Sequence, residues 1–184
     1  MIARRGSRIV NMKLRSFRAW LYYYWEMSFA RELAAIFRRD LTRLAQQIEA
    51  FPEDRVLWEH APGITNSAGN LALHLEGNLR EFVGRILGNI DYQRQREKEF
   101  SDEGMTRVDL AGRARELKNM IPAVLESLTP EQLASTYPVE VMGGTLPTQQ
   151  FLIHISGHFN YHLGQIDYLR RMLTGGKSVT YAGL

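Results

Sequence analysis

Four stretches of this chain set apolar side chains at steps of three and four, and no long region alternates with period two. That periodicity confines the fold to amphipathic helices packed on one another. The first stretch runs from about Ser28 to Ala50, with Leu33, Ile36, Phe37, Leu41, Leu44 and Ile48 on one face and Pro52 marking its end. The second runs from about Asn66 to Leu87 along Leu71, Leu75, Leu79, Phe82 and Ile86, with Gly88 as its stop. The third opens near Thr106, where "TRVD" resembles a capping box, and continues through Leu110, Ala114, Leu117, Ile121, Val124 and Leu128. Pro122 inside it predicts a kink, because proline removes a donor and crowds the carbonyl of Lys118. The fourth opens around Pro147 and reaches about Leu173, before Gly175 and Gly176; its inner stripe is Phe151, Ile155, His158, His162, Ile166 and Leu169.

The expected architecture is therefore an all-α four-helix bundle. The connection between the second and third stretches, about 18 residues, exceeds what an antiparallel turn needs and leaves room for a crossover. Between the third and fourth, "YPVEV" and Gly143-Gly144 predict a short extended segment and turn.

At 184 residues the chain accommodates one domain with an extension. Residues 1–27 read as a basic, aromatic extension and 28–184 as the bundle domain. Arg4, Arg5, Arg8, Lys13, Arg15 and Arg18 face no acid within the first 25 residues, whereas residues 26–184 carry 17 basic and 20 acidic groups. The basic character thus belongs to the tail, and nucleic acid is not an expected partner of the domain. The tail fails as a secretory signal, since its apolar part is short, aromatic and broken by Arg15 and Arg18. Two readings stay open: an arm for a membrane surface or nucleic acid, or a start assigned too early, with Met12 or Met27 as initiator. No segment approaches the ~18 apolar residues of a membrane span, and the expected location is cytoplasmic.

The chain has no cysteine, so a metal must be held by nitrogen or oxygen. In "HISGHFNYHLGQIDYLRR", His154, His158 and His162 recur at steps of four. Positions four apart differ by about 40° on a helix, so His158 and His162 can aim at one point, with His154 a turn further back. A third ligand then has to come from another helix, and His74, between Leu71 and Leu75, is the candidate. The competing reading keeps all four as separate histidines bonded to backbone or water. His60, in "LWEHAPG", falls in a loop near the mouth of the bundle.

The run from His154 resembles the last helix of the DinB/YfiT-like superfamily, with two histidines four apart followed by Gly-Gln; His158, His162, Gly164 and Gln165 match. "NSAGNLALHLEGNLREF" is similar to its second helix, with His74 at the position of the third histidine. The resemblance spans about residues 28 to 173. It implies a four-helix bundle of crossover topology, a homodimer, and a divalent metal on His74, His158 and His162. His154 is then a neighbour of the ligands or a core residue.

Zinc and nickel both suit histidine ligation. Gln165, one turn after His162, can orient a ligand histidine or a bound water; Asn70 and Asn78, a turn either side of His74, point the right way but cannot act as bases. Glu76 lies about 200° around the helix from His74, and Glu81 is better directed though two turns off. Within the superfamily the implied activities are thiol-cofactor S-transfer, maleylpyruvate isomerisation and hydrolysis. The implied partner is a small-molecule substrate or thiol cofactor. The alternative is a non-catalytic metal- or ligand-binding module.

Overall fold

Thr106 accepts the backbone N–H of Asp109 and starts a 21-residue helix, Arg107–Ser127, whose buried face is Leu110, Ala114, Leu117, Ile121 and Val124. Helix Ala68–Asn78 likewise starts on a side-chain cap, at Ser67, and the helix Thr148–Thr174 follows Pro147 with a continuous apolar face. In the computed structural model, which describes residues 29–179, all regular structure is helical and there is no strand among the described residues. The basic extension and its alternative readings lie outside the described residues.

Helix α1 covers residues 29–49, α2 is Asp54–Leu57, α3 Ala68–Asn78, α4 Arg96–Ser101, α5 Arg107–Ser127, α6 Pro130–Ala134 and α7 Thr148–Thr174. Ser67 caps α3 in a reciprocal box with Asn70, and α7 ends on Gly175, which takes φ 63° as a left-handed cap. The helical assignment of α5 runs unbroken through Pro122. Helix α3 passes directly into a π-helical segment, Leu79–Arg85. Tyr137, buried in the α6–α7 connection, donates its hydroxyl to the Phe82 carbonyl within that segment at 2.7 Å. Two isolated bridges, Thr136 with Pro147 and Val141 with Gly144, are all that becomes of the expected extended segment.

Cross-helix pairs fix the topology. Asp40 meets Asn160 and Gln47 meets Asp167, so α1 and α7 run parallel. Glu76 meets Arg113 and Arg80 meets Glu116, so α3 and α5 also run parallel. Arg38 pairs with Glu126 and Glu49 with Arg115, which makes α1 and α5 antiparallel. His74 faces His158 while Phe82 faces Phe151, so α3 opposes α7. Two parallel neighbours cannot be joined by a tight turn; residues 86–106 return along the bundle as the crossover, and α4 is folded within it.

That return covers the outer face of α3, and every residue of α3 is buried as a result, including Asn70, His74, Glu76 and Asn78. Asn70 donates to the carbonyls of Glu99 and Asp102, at 3.3 and 3.1 Å, and ties the crossover down. Gly69 and Gly77 permit the close approach. A Cβ at Gly69 would enter the Trp58 ring, and one at Gly77 would enter the Glu99 carboxylate. The core closes with Phe37 against Phe159, edge to face at 6.0 Å. No helix among the described residues is long and apolar enough to cross a membrane.

Candidate metal centre

Antiparallel packing of α3 on α7 sets His74 opposite the His158–His162 turn. The Nε2 atoms of His74 and His158 stand 3.3 Å apart and those of His158 and His162 3.1 Å apart. All three rings offer a ligand nitrogen within 4.8 Å of the others, a group that can hold a metal ion. For bonds of about 2.05 Å, two nitrogens on a tetrahedral zinc lie about 3.3 Å apart, and both of these separations are close to that. His74 is buried and the other two are half-buried.

The far side of two of the rings explains why their Nε2 atoms turn inward. His74 donates Nδ1–H to Glu99 at 2.9 Å, and His162 donates Nδ1–H to the Gln165 amide oxygen at 2.6 Å. Each ring thereby turns an unprotonated Nε2 toward the centre. Lone pairs gathered without a cation repel one another, whereas a shared ion satisfies them together. The Asn78 amide lies 3.0 Å from the same His74 Nε2, donating to it; turned over, it would present its oxygen to whatever the nitrogens hold.

Glu99 is held in turn by Arg94, whose Nε and Nη2 fork its two oxygens at 2.6 and 2.8 Å. Burial pushes the Glu99 carboxyl up, but the hydrogen bonds from Arg94 and His74 outweigh it and keep the group below the ordinary carboxylate range. Burial, reinforced by the rings of His162, His74 and His154 and by the Arg94 charge, lowers His158 to about 4. Burial also lowers His162, against the opposing effect of its bond to Gln165. Both are neutral imidazoles at neutral pH, the protonation state a metal ligand needs.

The remaining residues fall into place around this centre. His154 is exposed; its ring stacks on Phe151 at 6.1 Å and stands 6.3 Å from that of His158, so it is a neighbour of the group rather than part of the core. His60 is exposed before α3. Glu76 points away and is paired with Arg80 and Arg113, while Glu81 is spent on Arg85. The carboxylate that does reach a ligand histidine is Glu99, with Arg94 behind it. Neither belongs to an apolar stripe, and the one signal of their position was the excess length of the connection that carries them.

The match to a known family extends over residues 26–181. This chain belongs to DUF1572, a family described as a protein of unknown function. The DUF1572 chain also matches the crystal structure of a DinB-like protein from Bacillus cereus, with a TM-score of 0.59 over 79% of this chain and 91% of that one. At 20% identity that likeness speaks for the fold, which is DinB-like. No curated protein matches the DUF1572 sequence.

Proposed function

We propose that this protein binds one divalent metal ion, zinc or nickel, through His74, His158 and His162, and that the centre activates an anionic ligand, a thiolate above all, in a transfer reaction. The observation that carries this reading is the convergence of three Nε2 atoms, with the rings of His74 and His162 oriented from behind by Glu99 and Gln165.

Three neutral imidazoles leave an ion's double charge uncompensated and a coordination position open, which favours capture of an anion and lowers the pKa of a bound thiol or water. The residues around it then divide the remaining work. Glu99 and Gln165 hold the tautomers of His74 and His162, and Asn78 offers an amide beside the ligand position. A water-driven hydrolase would further want a free carboxylate base. Glu76, Glu81 and Glu99 are each committed to arginine, which favours thiolate or substrate activation over hydrolysis.

Elemental analysis of the purified protein beside His74→Ala and His162→Ala tests the reading. Near-stoichiometric zinc or nickel, lost from both variants, is expected. Absence of metal after reconstitution would overturn it and leave a ligand-binding helical module. Added thiol should then generate a thiolate-to-metal absorption band in the cobalt-loaded protein, as an open position requires.

A further inference from the structure

Next to the histidine group, and lined by His162 and Gln165, a cavity of about 380 Å³ opens between α7 and the loop that precedes α3. Its floor is Leu71 and Leu169, both buried. Its walls are Tyr161, Tyr168 and Met172 from α7 and Ile64 from the loop, large apolar side chains left 44% to 66% exposed. Half of the large hydrophobic side chains that the described residues leave exposed are gathered on this one cavity. A scatter of single exposed residues would need no explanation, but a concave apolar wall beside a polar centre does.

The polar end is equally particular. Gln165 spends its oxygen on His162, so its amide NH2 is turned elsewhere and has no acceptor among the described residues. The Tyr161 ring stands edge-on to His162 at 5.1 Å and joins the apolar wall to the histidine group.

The geometry points to this cavity as the subsite for the body of the substrate: a small molecule carrying a ring-sized apolar group, with a hydrogen-bond acceptor for Gln165 and an anionic end for the metal. The anionic end rests on the function proposed above; the apolar subsite stands on the cavity itself. The volume accommodates a phenyl-sized group with a short linker.

Calorimetric titration of the zinc-loaded protein with 3-phenylpropionate and with propionate tests the assignment. Burial of the ring predicts that the phenyl acid binds about tenfold or more tightly than propionate. Tyr168→Ala and, from the opposite wall, Ile64→Ser should each erode that preference while zinc content and propionate affinity stay as in the native protein. Equal affinity for the two acids, or a preference indifferent to both substitutions, would overturn the subsite and leave the metal reading standing. If the protein takes no zinc, the metal reading falls, and the neutral probe 3-phenylpropanol decides the subsite on metal-free protein. Binding that Tyr168→Ala abolishes supports the subsite, and no binding overturns it. A fall in particle mass of Tyr168→Ala in sedimentation would assign the aromatic wall to contact between copies of the chain, which also overturns it.

Discussion

Gly77 has no side chain, and that is why Glu99 can lie on α3 close enough to accept from His74. Gly77→Ala should push the carboxylate away, and Glu99→Gln should keep an acceptor but lose the charge that Arg94 forks. Both are expected to weaken metal binding by about 10–100-fold, the usual cost of removing a partner behind a ligand histidine, with helical circular dichroism unchanged. Chelator competition measures the loss. At this scale the meeting of the three rings was readable beforehand, because a step of four on one helix and a lone histidine in another helix's apolar stripe both leave a trace in sequence. Glu99 left none. It meets His74 across 25 residues and looks, in "REKEFS", like any solvated charge.

Among the elements, the four long helices were legible because their apolar faces persist over several turns, helped by the Thr106 cap of α5 and the Gly175 stop of α7. The π-helical segment was not, since its sequence continues the same stripe; what stabilises it comes from afar, in the Tyr137 hydroxyl that satisfies the Phe82 carbonyl. Burial raises the pKa of that hydroxyl, so it is a donor across the accessible pH range. Tyr137→Phe leaves a carbonyl short of its partner and should cost about 1–3 kcal/mol in denaturant unfolding. Ser67→Ala removes the cap of α3 and should cost about 1 kcal/mol by the same measurement. Helix α4 escaped notice for a related reason: its one buried residue is an acid, so it has no apolar stripe to read.

For the whole molecule, the proposed site would link metal binding to folding, because the three histidine nitrogens come together only in the packed bundle. Zinc at 100 times its dissociation constant should stabilise the native state by about 2.7 kcal/mol, seen as a rise in Tm that a chelator reverses and His162→Ala lacks. Crossover topology was anticipated from one long connection, whereas its benefit to the site, a return strap that carries Arg94 and Glu99 onto α3, became visible only in three dimensions. The same topology has a bearing on biosynthesis. His74 and His158 are 84 residues apart, so a ribosome releases the first half of the centre well before the second. During that interval the nascent chain holds His74 without the two imidazoles that face it in the finished bundle. On the proposed reading, ion capture would wait for the last helix, and a metal-loaded molecule would be one whose synthesis has reached its C-terminal helix.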